Sequence, residues 1–303
     1  MSLFRTLRAY LELARPANVV TAWADILAGA AASGLIAIWV GGAFTLSLHS
    51  PILWLLLATT GLYAGGVVLN DVFDAALDAE ERPERAIPSG RASKTGAAVF
   101  GIALLAGGTA AAFAWHMLSG CIAIVVALLA VLYDRFGKHH TLLGPINMGL
   151  CRGGNLLLGV SAIPAVVPEF WFLAILPIVY IGAITAISQG EVHGGSSTTG
   201  RVAVIFILSV VSGMLLMGLL PAFKLLHGLP FLLLFGWMVL PSFLKAAQYP
   251  EAHHIRRAVG AGIMGLIPLN ATLAAGFAGW PMGIIVLLLL PISIGLARLF
   301  AVT

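Results

Sequence analysis

Ten stretches of this chain are apolar over a length that reaches, or nearly reaches, the width of a lipid bilayer. They cover about 18–40, 52–70, 96–115, 118–133, 144–163, 169–188, 202–222, 229–247, 257–278 and 282–300. A helical span needs roughly 20 residues, so 118–133 is the shortest of the set. With 60% hydrophobic and only 9% charged residues, a water-soluble core cannot absorb the apolar surface, and the bilayer becomes the natural solvent. Backbone groups in lipid must bond within their own segment, which selects helices; outer-membrane strands would alternate every second residue, and these runs do not. The expectation is an all-α polytopic bundle of nine or ten transmembrane helices.

The basic residues orient the bundle. Every Lys and Arg except Lys224 and the intramembrane Arg152 lies in or beside the N-terminal tail, an even-numbered connection or the C-terminal end. That asymmetry is the positive-inside signal. It puts both termini in the cytoplasm and points to an inner (plasma) membrane of bacterial type. The net charge of +4 mostly restates this bias. No solvated basic domain exists to bind nucleic acid, so the expected surroundings are membrane lipid. Cys121 and Cys151 fall inside predicted helices without disulfide spacing and read as inert core residues. In the first 15 residues Arg5, Arg8 and Arg15 stand against Leu3, Phe4, Leu7, Tyr10 and Leu11, the pattern of a short amphipathic helix on the membrane surface.

No linker divides the chain, so 1–303 reads as one integral-membrane domain. A weak internal echo runs through it. Pro16-Ala17-Asn18 opens the first span and Pro145-Ile146-Asn147 the fifth, each followed by a polar intramembrane residue, Asp25 and Arg152. This predicts two related four-helix halves, about 18–133 and 144–247, followed by C-terminal helices.

The acids are concentrated. Of 12 Asp and Glu, six lie between Asp71 and Glu84, where the second apolar run ends. If that helix continues past Asn70, then Asp71, Asp74 and Asp78 recur at i, i+3 and i+7 and share one face. Three carboxylates in a row repel one another unless a cation intervenes. Mg2+ prefers oxygen ligands and leaves coordination positions for substrate phosphate. The basic residues that follow, Arg82, Arg85, Arg91 and Lys94, point to an anionic partner, most simply a diphosphate.

The run Asn70 to Gly90, NDVFDAALDAEERPERAIPSG, resembles the first Asp-rich motif of the UbiA superfamily of intramembrane prenyltransferases, NDxxDxxxD followed by a Pro-Arg segment and a Pro-Ser-Gly turn. Asn70, Asp71, Asp74, Asp78, Arg85, Pro88, Ser89 and Gly90 all fall in place. Arg15-Pro16 and Asn18 at the start of the first helix also look familial. Tyr133-Asp134-Arg135-Phe136-Gly137-Lys138 is similar to the family's Tyr…Lys loop, with one residue more than the usual spacing. The resemblance implies a bundle of isoprenyl-synthase-like architecture. It implies Mg2+-dependent transfer of a prenyl group from an isoprenoid diphosphate donor to an aromatic or other lipophilic acceptor. Asn70, Asp71, Asp74 and Asp78 would hold metal. Lys138 and Arg85 would contact phosphate, and Tyr133 would sit near the developing cation.

The chain departs from the family in the second motif. The stretch between the sixth and seventh spans, Gln189-Gly190-Glu191-Val192-His193-Gly194-Gly195, has one carboxylate where the family usually has an Asp-rich segment. Glu191 is the candidate ligand there, and His193 a phosphate contact or second ligand. This version resembles the EboC-like branch of the superfamily. The departure leaves open an alternative, a catalytically degenerate carrier or scaffold of the same fold for an isoprenoid-like or aromatic metabolite. An ion-coupled transporter fits less well, because it would need its charges near the midplane and only Asp25 and Arg152 qualify.

Charges inside spans are costly, so Asp25 and Arg152 should face the bundle interior. Either Arg152 points, with Asn18, at the phosphate pocket and Asp25 orients a polar network or the acceptor, or the two charges pair with each other or with Asn18, Asn147 or Asn155. Asn270 reads as a helix–helix hydrogen bond. Arg135 and the pair His139-His140 share the face of the Asp-rich segment. His253, His254, Arg256 and Arg257 read as topological or lipid-contacting; adjacent histidines on a helix project in different directions and make a poor metal site.

Overall fold

The computed structural model describes residues 3–38, 50–138 and 140–300, and all regular elements among them are helical. His139 and the last two residues of the first predicted span lie outside the described residues. The surface helix α1 (Leu3–Ala14) leads into α2 (Pro16–Ala32) and the short α3 (Leu35–Ile38). Next come α4 (Pro51–Phe73), α5 (Ala75–Glu81), α6 (Lys94–Trp115), α7 (Met117–Leu132) and α8 (Leu143–Val160). A short α9 (Val167–Phe170) precedes α10 (Ile175–Ser188), α11 (Ser197–Leu216), α12 (Leu225–Gln248), α13 (Ala252–Ala278), α14 (Trp280–Leu287) and α15 (Leu289–Leu299).

Among the described residues, eight helical stretches are long and apolar enough to cross a membrane: Pro51–Phe73, Lys94–Trp115, Met117–Gly137, Pro164–Ser188, Ser197–Leu219, Leu225–Gln248, Ala252–Ala278 and Trp280–Leu299. The other two predicted spans are α2, with 17 residues, and α8, with 18. These carry Asp25 and Arg152, and they are the helices least suited to lipid. The fold accordingly puts them inside. α2 packs on α4, α8, α13 and α15, and most of its residues are buried. The outer helices show the lipid-facing complement: Val99 on α6, Leu128 on α7, Ile205 on α11 and Trp237 on α12 are all exposed. Cys121 is exposed on α7 and is not a core residue.

Small residues let α2 and α8 touch through their backbones. A Cβ on Gly29 would lie 2.5 Å from the Leu156 carbonyl oxygen, and one on Gly159 would lie 2.6 Å from that of Ile26. At this contact the two intramembrane charges meet: Arg152 Nε lies 2.6 Å from Asp25 Oδ2. Asn155 donates to the same carboxylate at 2.8 Å, Asn270 donates to Oδ1 at 2.6 Å, and Thr59 donates to Asn155 at 2.6 Å. Four helices are thereby tied around one buried carboxylate.

Candidate active site

The helix does continue past Asn70. α4 ends at Phe73, Asp74 makes a slight bend (φ −84°, ψ −2°), and α5 carries on. The Asp74 N–H donates to the Asn70 carbonyl at 2.9 Å and the Asp78 N–H to the Asp74 carbonyl at 2.8 Å, so the helical register survives the bend. Asp71 and Asp78 are buried and Asp74 is half-buried.

Each of the three carboxylates meets a cation from a different part of the chain. Arg15 Nη2 donates to Asp71 Oδ1 at 2.6 Å. Arg85 Nη1 reaches both oxygens of Asp78, at 2.8 and 3.1 Å, and approaches Asp71 at 3.5 Å. Lys138 pairs with Asp74. Local geometry explains each delivery. Arg15 caps α2 in the left-handed region (φ 47°, ψ 62°), where the chain turns from α1 into Pro16. Arg85 is folded back by the Pro88-Ser89-Gly90 turn: Ser89 N–H and Oγ both donate to the Arg85 carbonyl, Gly90 takes φ 72°, and Ala92 N–H closes onto Ala86 O at 2.9 Å. α1 buttresses this loop, with Ala9 and Leu13 packed against Ala86 and Ala92, and Glu12 paired with Arg91.

Lys138 arrives through a π-turn. Tyr133–Gly137 winds with i→i+5 hydrogen bonding, and the Lys138 N–H donates to the Tyr133 carbonyl at 3.0 Å. Tyr133 and Lys138 therefore stay one turn apart on the same side. With its amide turned so that both of its ends are satisfied, Asn147 of α8 fastens the turn, donating to Leu129 O at 3.0 Å and accepting from the Tyr133 N–H at 3.2 Å. Asp134, on the same turn, is buried and accepts from Asn70 Nδ2 at 2.9 Å.

The structure distributes the other predicted residues more widely. Arg152 is committed to Asp25, to the Thr21 carbonyl at 2.6 Å and to the face of Tyr63 at 5.7 Å. Asn18 is buried at the start of α2, and its Oδ1 has no hydrogen-bond partner among the described residues. Glu191 is half-buried in the turn after α10, and Arg256 holds that turn by donating to the Glu191 carbonyl at 2.8 Å. Burial raises the Glu191 carboxyl above its ordinary value; the charges of Arg82, Arg256 and Arg85 pull the other way. Arg85 thus acts electrostatically on Glu191 while bonded to Asp78, and it links the two polar segments. His193 is exposed.

The geometric objection to a histidine pair at the start of α13 does not hold. The His253 and His254 rings lie 3.8 Å apart, and among the described residues Glu251, His253 and His254 bring three ligand-type atoms within 4.8 Å of one another. The aspartates are not gathered in that way, because Arg15, Arg85 and Lys138 stand between them. Their donors are nonetheless all oxygens, carboxylate and Asn70 amide, which is the set a hard divalent cation takes. On the face of α4 opposite the aspartates runs an apolar groove of about 650 Å³ between α4, α6 and α7, lined by Leu69, Phe73, Leu105, Ala106, Phe113 and Val131.

Sequence reasoning did not name Arg15 or Asp134 as site residues. For Arg15 the signal was its place before Pro16; for Asp134 it was an acid inside a loop otherwise composed of aromatic, basic and small residues.

Residues 26–248 match the model of the UbiA prenyltransferase family. The chain belongs to this family. A digeranylgeranylglyceryl phosphate synthase of Methanopyrus kandleri is 28% identical over 285 residues, which is 88% of this chain and 100% of that protein. A protein of the same name from Methanosarcina mazei is 35% identical over 195 residues, covering 61% of this chain and 64% of its own length. The fold is that of a solved digeranylgeranylglyceryl phosphate synthase structure, with TM-score 0.66 at 20% identity over 90% of this chain and 99% of that one. A UbiA homologue from Archaeoglobus fulgidus superposes with TM-score 0.61 at 16% identity, over 96% and 99% of the two chains. The protein is an integral multi-pass membrane member of the UbiA family, with Asp71, Asp74 and Asp78 together where α4 passes into α5.

Proposed function

We propose that this UbiA-family protein transfers a prenyl group from an isoprenoid diphosphate to a lipophilic acceptor, with Mg2+ held by the Asn70–Asp78 face. One observation carries the reading: Asp71, Asp74 and Asp78 share a helical face, and three cations from separate segments converge on it. Such a set of mobile cations and oxygen donors suits an anion that arrives with its own counter-charge. Mg2+ bound there supplies positive charge against the negative charge that builds on a departing diphosphate.

The chain's own residues do the rest. Lys138, Arg85 and Arg15 are placed to trade carboxylate partners for phosphate oxygens. Their charges then stabilise the leaving group as the allylic C–O bond breaks. Tyr133, one turn from Lys138, presents an aromatic face to the cation that remains. Relatives named digeranylgeranylglyceryl phosphate synthase favour an acceptor that itself carries a lipid chain and a polar head over a free aromatic ring. The distribution of Lys and Arg favours the cytoplasmic face for the site.

The test is turnover by purified protein with allylic diphosphates of graded length and lipid acceptors, following diphosphate release and covalent product. Release that requires Mg2+ and falls at least about a hundredfold in D74N and K138M is the expected result. Absence of release with every donor and acceptor, in protein that binds diphosphate normally, would favour a scaffold.

A further inference from the structure

Asp134 is an acid placed at an expensive position. It lies at the membrane end of α7, 4% exposed, on the π-turn. One oxygen accepts the Asn70 amide N–H at 2.9 Å; the other, Oδ2, is buried and has no hydrogen-bond partner among the described residues. The nearest cation does not answer it, because Lys138 is paired with Asp74, and no ion pair to Asp134 occurs among the described residues. A buried carboxylate oxygen left unpaired is costly unless something else binds it. Asp74, Lys138 and Arg15 are all near enough for their charges to act on Asp134, so the open oxygen belongs to the same site.

Asp134 also fixes its neighbour. A carboxylate only accepts, so the Asn70 amide must turn Nδ2 toward it and hold Oδ1 away, free for a ligand. Mg2+ needs only one or two carboxylates beside substrate phosphate and water. The second polar segment offers a single acid, Glu191.

Resting on the function proposed above, we propose that Asp134 is a metal ligand of this site, binding a divalent cation through Oδ2 while its other oxygen orients Asn70. It supplies from the end of α7 a carboxylate that the second motif lacks.

The experiment measures Mn2+ binding to the full chain in detergent by electron paramagnetic resonance, with inorganic diphosphate present. D134N is informative because its amide oxygen can still accept from Asn70, which preserves the positioning bond and removes the charge. The expected result is Mn2+ affinity lowered about tenfold or more, with D74N lowered similarly. D134E, which keeps the charge, should stay within about threefold of wild type, well short of the tenfold loss. Normal affinity in D134N alongside a loss in D74N overturns the assignment of Asp134 and leaves the proposed function standing. Normal affinity in both variants overturns both. If D134N does not fold, D134S decides: Mn2+ affinity lowered as in D74N supports the assignment, and normal affinity in the folded variant overturns it.

Discussion

Asp25 shows how a single residue can be both a liability and an organiser. It is 1% exposed, in helix-packed surroundings, with Arg152, Asn155 and Asn270 all on its two oxygens. Breaking one side of such a pair leaves an uncompensated buried charge, at about 3–5 kcal/mol, whereas removing both partners is far milder. D25L should therefore lower the melting temperature in detergent sharply, and D25L/R152M should recover much of the loss; equal melting of the single and double variants would deny the coupling. Much at this scale was legible in the sequence. The i, i+3, i+7 spacing of Asp71, Asp74 and Asp78 follows from helix geometry alone, and intramembrane charges must find partners. The cations that hold the aspartates were harder to read, because their reach depends on a left-handed Arg15 and a refolded Arg85 loop. His253 and His254 misled for a related reason. In the first turn of α13 no preceding turn crowds them, so the rings swing together where mid-helix neighbours would diverge.

At the level of helices, the apolar runs marked the elements well because lipid forces each run to satisfy its own backbone. The amphipathic α1 was legible from its Arg–Leu pattern and serves as a buttress for the loop that carries Arg85. Asp25 and Arg152 already pointed α2 and α8 inward, and the structure buries both; that their backbones touch was harder to read. Their glycines carry that information, since Gly29 and Gly159 leave no room for a side chain at the crossing. G159L must drive the two backbones apart and pull Asn155 and Arg152 from Asp25. It should cost about 3 kcal/mol or more through overpacking, read as a large fall in melting temperature, while a bulky residue at Gly107, which meets nothing within 4 Å, should be neutral. The π-turn could not be read from periodicity.

For the whole molecule, the architecture separates two tasks. The interior polar network around Asp25 ties α2, α4, α8 and α13 into a frame, and the frame sets the ends of α4 and α7 side by side. At those ends the acids Asp71, Asp74 and Asp78 meet the bases Arg15, Arg85 and Lys138. The central claim is that this polar end grips a diphosphate through a divalent cation. Calorimetric titration of the purified protein with inorganic diphosphate tests it most directly, with Mg2+ or with chelator, in wild type and in D71N/D74N. Binding should require Mg2+ and weaken at least tenfold, roughly 1.4 kcal/mol, in the double variant. Diphosphate binding of equal affinity in chelator, or unchanged by the loss of both carboxylates, would contradict it.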